Sequence, residues 1–177
     1  RQRSANRSPA KPDDPQLHRK LYQLRHGALP LGEAAQQAEG ARGDGRPWNL
    51  GVADPRAPGR CRFSVRAVGD AGAASSGDYE RCFVKDGVRY HHLLDARTGR
   101  PARGVSSVTA IAPRAFAAGL AAAAAFLLGP EAGLSHLESL PGIEGVMITE
   151  EGRLLPTAGM HRLWDMPGSL YAKYPGV

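Results

Sequence analysis

Cysteine is nearly missing from this chain: among 177 residues only Cys61 and Cys82 occur. They have no Cys-x-x-Cys spacing and no metal-ligand pattern, which excludes a zinc finger or a dense disulfide framework. Each sits in a strand-like apolar run, so core thiols are the default reading, and a bridge between neighbouring strands stays open. Long apolar runs are scarce too. The only one, Ala115 to Leu128, is rich in alanine and about 14 residues long, too short for a membrane-spanning helix. The sequence shows no signal peptide and no lipobox, and it begins with Arg1 rather than Met. An upstream segment is therefore left open, and localisation is undetermined. Aromatic residues make up 6% of the chain, and no basic run is interleaved with them. The net charge of +6 owes much to Arg1, Arg3, Arg7 and Lys11 in the first segment. That pattern reads as a solvated surface with a basic tail and not as a nucleic-acid binder. A positive field still suits an anionic ligand such as a nucleotide.

What remains is a globular composition. Hydrophobic residues account for 42% and charged residues for 23%, and the length suits one domain with a real core. Residues 1–40 stand apart. The first 16 are polar and read as disordered. Leu17, Leu21 and Leu24 give a weak helical period, broken by Gly27 and Pro30, and a short Ala-rich helix is expected from Gly32 to Ala38.

From residue 41 onward the local signals agree with one another. Strands are expected at 48–52 and 61–68, joined by the Pro- and Gly-rich turn 54–60. Residues 69–78, all small or polar, read as a loop. Residues 80–95 read as a hairpin turning at Asp86-Gly87. A β-branched strand at 104–113 leads to a helix at 114–129, closed by Gly129. A second helix at 130–140 starts with Pro130 at its first position. Residues 142–157 read as strand, turn and strand, and 158–177 as a loop-like tail. The expected fold class is α+β, a mixed sheet with flanking helices.

Three places could carry chemistry. The first is "YHHLLDARTGR", residues 90–100. Strand alternation turns His91 and His92 to opposite faces, so they cannot share one metal ion. One faces the core or a cleft and the other faces solvent; by itself a histidine here is more often structural. Asp95, Thr98 and Gly99 then supply a carboxylate, a hydroxyl and a turn at a strand end. The second is Ser75, Ser76 and Gly77, whose backbone amides could cradle a phosphate, although a plain turn is the simpler reading. The third is the start of the helix at Arg114, where free N–H groups favour an anion. Its body carries no polar side chain from Ala115 to Leu128, which reads as a packing helix.

Taken in order, "GRPWNLGVADPR", "SSGDYERCF", "DGVRYHHLLDARTGRPA", "VSSVTAIAP", "FLLGPEAGLSHLESLPGIEGVMIT" and "TAGM" resemble the C-terminal half of the FAD:protein FMN transferase, or ApbE, family. The likeness runs from about Arg42 to Met160, so 41–177 is expected to be an ApbE-like flavin transferase region. Its most specific piece is His92-Leu93-Leu94-Asp95-Ala96-Arg97-Thr98-Gly99, similar to "HIIDPRTG" with Ala96 where proline is usual. The resemblance implies an enzyme that takes FAD and Mg2+, moves FMN onto a threonine of a target protein and releases AMP. It implies His92 as the catalytic base or a phosphate contact, and Ser75, Ser76, Gly77, His92, Asp95, Thr98 and Gly99 around the flavin nucleotide. It also implies a flavin-accepting protein partner. Members are often periplasmic or membrane-anchored.

Two departures qualify that expectation. The family's helical Asp and Thr, which ligate Mg2+ from one helix face four residues apart, fall here on Gly119 and Ala123. Neither supplies a side-chain oxygen, so no metal ligand is assigned. The family's N-terminal flavin-holding segments find no match in residues 1–40, and that half is expected to be absent or replaced. Impaired transfer is therefore expected. The alternative is a flavin-binding pseudoenzyme or remnant; an FAD pyrophosphatase ranks behind both, since it needs the same metal. Uncovered strand edges could also drive a homodimer.

Overall fold

The computed structural model describes residues 28–31, 37–39, 46–67 and 71–165, and the readings for residues 1–27 and 166–177 lie outside them. Three layers stack: a four-stranded sheet, a five-stranded sheet and a pair of helices. The four-stranded sheet contains β1 (Ala28–Leu31), β3 (Trp48–Ala53), β4 (Cys61–Ala67) and β13 (Trp164–Asp165), in the order β1-β3-β4-β13. β1 runs parallel to β3, and the other pairs are antiparallel. The five-stranded sheet is antiparallel, in the order β12-β11-β10-β5-β2. Its strands are β2 (Gln37–Glu39), β5 (Gly72–Gly77), β10 (Val105–Ala112), β11 (Glu144–Thr149) and β12 (Leu154–Pro156). The helices are α1 (Ala115–Leu128) and α2 (Pro130–Ser139).

Side-chain alternation lets the middle sheet serve two cores. On one face Ala73, Ile111, Val146 and Ile148 meet Leu50, Val52, Phe63 and Val65 of the four-stranded sheet. On the other, Ala74, Val108, Ala110 and Met147 meet Ala118, Ala122, Ala125 and Phe126 of α1 and Leu137 of α2. All eight residues of β10 are consequently buried. A strand covered on both sides reads as a continuous apolar and β-branched run, as this one does.

The small residues of β5 explain a correction. Residues 72–77 form a central strand where a loop was expected. A Cβ on Gly72 would lie 2.0 Å from the Ala115 backbone nitrogen, so the start of α1 sits against the bare backbone of β5. Small side chains at 72–77 thus reflect close packing. Three further expectations change. The helix expected over 32–38 is overturned at its end, where Gln37 and Ala38 belong to β2 and pair with Ala74 and Ala73. Part of the weakly helical first segment is the strand β1, held by β3. The tail forms a 3-10 turn at Met160–Arg162 and then β13, whose Trp164 packs on Phe63 with ring centroids 5.0 Å apart. The α+β mixed sheet with flanking helices is as read, and among the described residues no helix is long and apolar enough to cross a membrane.

Candidate functional site

Between β5 and β10 the chain leaves the sheets and forms two small ribbons. The first is the hairpin β6 (Cys82–Lys85) and β7 (Val88–His91). Asp86 (φ 51°) and Gly87 (φ 74°) both take the left-handed conformation that a tight two-residue hairpin turn needs. The second pairs β8 (Leu94–Asp95) with β9 (Arg100–Pro101). His92 and Leu93 bridge the ribbons.

The two histidines part as alternation requires. His91 is 7% exposed; its Nε2–H donates to the Ala102 carbonyl at 3.2 Å, and its ring meets the Phe126 ring edge-on at 5.7 Å. Burial pushes its pKa below the ordinary value and keeps the ring neutral. His92 is exposed. Of the pair, only His92 is open to a ligand.

The loop after His92 is shaped from within. The Asp95 carboxylate accepts the Arg97 backbone N–H at 2.9 Å and the Arg97 guanidinium at 3.1 and 3.2 Å. Those bonds hold its pKa below the usual carboxylate value. The Asp95 carbonyl accepts the N–H groups of Thr98 and Gly99, and the Thr98 hydroxyl accepts that of Arg100. Gly99 turns the chain at φ 65°. Asp95, Thr98 and Gly99 therefore fix the loop, and Arg97 and Arg100 stand exposed around it.

Ser75, Ser76 and Gly77 lie at the end of β5 and not in a loop. Their partners on β10 are Thr109, Val108 and Ser107. Ser75 Oγ and Thr109 Oγ1 hydrogen-bond at 2.7 Å. Pairing with β10 occupies backbone groups of these residues, so they form neither a plain turn nor a free phosphate-cradling loop. The stretch runs past Ala74, the last residue paired with β2. A Cβ on Gly77 would strike the Tyr79 ring at 2.3 Å. Burial, with the Glu80 charge adding to it, pushes the Tyr79 phenol up to about 12, so it stays protonated at neutral pH.

Sequence reasoning missed Asp78. It is 2% exposed and takes a two-pronged ion pair from Arg56 at 2.7 and 2.8 Å. The same guanidinium donates to Ser106 Oγ at 2.6 Å. Arg89 of β7 lies 3.9 Å from the same carboxylate. Asp78 thus ties the β3–β4 turn, β10 and the hairpin together. The signal was a lone carboxylate directly after a run of small residues, but its arginine partner lies 22 positions upstream. The two cysteines are not bridged; the Cys82 sulfur instead accepts from Arg89 at 3.0 Å.

The positions expected for the metal do not fit magnesium. Gly119 and Ala123 lie four residues apart on α1, both half-buried and without a side-chain oxygen. Among the described residues no group of three His, Cys, Asp or Glu side chains could hold a metal ion.

This α+β fold matches solved flavin transferases. The ApbE protein of Thermotoga maritima superposes with a TM-score of 0.67 at 35% identity, over 76% of this chain and 44% of that one. The apo flavinyl transferase ApbE of Pseudomonas stutzeri gives 0.56 at 30% identity, over 76% and 42%. The ApbE family model matches residues 22–147, and the chain belongs to that family. The match starts upstream of Arg42 and takes in β1 and β2. Among similar proteins are the FAD:protein FMN transferases of Treponema pallidum and Rhodobacter capsulatus. The first is 41% identical over 64% of this chain and 32% of its own length, the second 34% over 75% and 28%. The chain spans about a third of the length of these curated relatives.

Proposed function

We propose that this chain binds a flavin nucleotide at the His92–Gly99 loop and transfers FMN from it poorly. Family membership supports FAD as the ligand, since the relatives are FAD:protein FMN transferases. In that reaction a threonine oxygen attacks the phosphorus on the FMN side, the bond to the AMP phosphate breaks, and AMP leaves. His92, exposed beside the loop, is the group to accept the threonine proton. Ser75–Gly77, Asp95, Thr98 and Gly99 are assigned to the nucleotide, the last three by holding the loop in shape. Arg97 and Arg100 attract its phosphates.

The single observation that carries impaired transfer is the bare α1 face at Gly119 and Ala123. Charge building on the phosphates needs a fixed counter-charge close by, and a lost electrostatic stabiliser commonly costs about 100-fold or more in rate. Exposed arginines in high dielectric replace little of that. The strand-end loop kept without that counter-charge favours a second reading, a flavin-binding pseudoenzyme that performs no transfer.

Titrating the chain with FAD and following flavin fluorescence tests this. Binding is expected to be indifferent to Mg2+, to weaken on His92→Ala, and to bring covalent FMN onto a threonine peptide only slowly; no covalent FMN at all would favour the second reading. The double substitution Gly119→Asp and Ala123→Thr is expected to make binding Mg2+-dependent. Mg2+-tightened binding or efficient transfer by the unsubstituted chain would overturn the proposal.

A further inference from the structure

The outer face of the β6–β7 hairpin is apolar, exposed and basic at its rim. Phe83 pairs with Tyr90, and Lys85 with Val88. Alternation puts these four on the face opposite Cys82 and His91. Phe83 is 62% exposed and stacks on Tyr90 with centroids 5.1 Å apart and planes 8° apart. Val88 extends the apolar strip, and the exposed Arg81 and Lys85 flank it. A two-stranded ribbon is marginal by itself, and among the described residues each of its strands keeps an unpaired edge. Along β7 this face carries Val88 and Tyr90, and the exposed His92 follows directly after the strand's end.

We propose that this face docks the protein that receives the flavin, taking from it an extended segment whose strip-facing residues are apolar at its centre and acidic at its two ends, and which adds to the ribbon as a third strand. Main-chain bonds to an open edge would supply affinity, and alternate side chains would supply specificity. The apolar ones cover Phe83, Tyr90 and Val88, and the acidic ones meet Arg81 and Lys85. A second copy of the hairpin would bring like charges together, which argues against self-pairing. The inference rests on the transferase reading in one respect: the strip leads to His92, so a threonine in the docked segment would be delivered to the group proposed to take its proton.

The probe is a fluorescein-labelled extended peptide with valines at its centre, aspartates at both ends and one threonine, titrated against the whole chain by anisotropy. Saturable binding is expected, weakened about tenfold by Phe83→Ser with Tyr90→Ser, and likewise by Arg81→Glu with Lys85→Glu. Circular dichroism checks that each variant is folded, and FAD is titrated in parallel. Equal binding of a peptide with lysine or serine in place of aspartate would overturn the proposal. So would unchanged binding by both folded variants, or a dimer in sedimentation that either variant dissolves, since the occupant would then be a second copy. FAD binding without peptide binding overturns the docking face alone. Peptide binding without FAD binding upholds the face and overturns the transferase reading.

Discussion

β10 and β6 are both strands of this chain, but they live in different solvents. Val105–Ala112 is buried on both faces between two cores. Of Cys82–Lys85 only Cys82 is even half-buried. The middle sheet gains its stability from apolar area removed from water on two sides. The ribbons make few such contacts and are held by a small number of polar ties: Asp78 to Arg56 and Arg89, His91 to Ala102, and Asp95 to Arg97. The proposed chemistry follows the second region. Among the described residues His92 is exposed, whereas Ser75 and Thr109 are engaged with each other in the sheet.

Four substitutions test how deep that division runs. The largest effect belongs to the double core. Phe126 is fully buried, and Phe126→Ala is expected to cost about 3–4 kcal/mol in urea unfolding. A much smaller loss would show that α1 does not carry the second core. Next comes Asp78→Ala, which leaves two guanidinium groups without their carboxylate. Breaking a buried ion pair costs about 3–5 kcal/mol, and the partial exposure of Arg56 lowers the figure here to about 2 kcal/mol. Hydrogen exchange should quicken at amides 82–91 before those of β10; uniform quickening would mean that ribbon and sheet unfold as one unit.

A smaller effect is expected from pH. The folded chain holds His91 below its ordinary pKa, so the unfolded chain binds its proton more readily. His91 contributes its full stabilisation above the unfolded pKa of about 6.5 and loses it as pH falls through that value toward the folded pKa. Unfolding midpoints measured from pH 7.5 down to 5 should therefore drop, and His91→Phe should flatten that slope. An unchanged slope would move the titrating group elsewhere. The smallest change in stability is expected from His92→Ala, within about 0.5 kcal/mol, because the side chain is exposed. A large loss there would place His92 in the fold's own support.

The residues show why some of this was legible and some was not. Asp86-Gly87 announces its hairpin because left-handed backbone is a local demand. Gly129 and Pro130 mark the junction of the two helices for the same reason. The strand-end loop is local as well, since Asp95 bonds to residues two to five positions ahead. β5 was opaque. Glycine, alanine and serine carry no strand signal, and their place in the sheet comes from β10 and from an α1 terminus that tolerates no Cβ at Gly72. β2 and β13 were opaque too, being two- or three-residue strands that exist only through partners far along the chain.

By itself the sequence determined the class of fold, the order of most of its elements, the family, and the bare positions Gly119 and Ala123, because composition, turn chemistry and motif spacing are properties of neighbours along the chain. It also determined that His91 and His92 face opposite ways. Tertiary structure alone decided which of them is buried, where the small residues of β5 belong, and that Asp78 anchors the ribbon. Each of those depends on a partner brought close by folding: Phe126 against His91, Ala115 against Gly72, and Arg56 against Asp78.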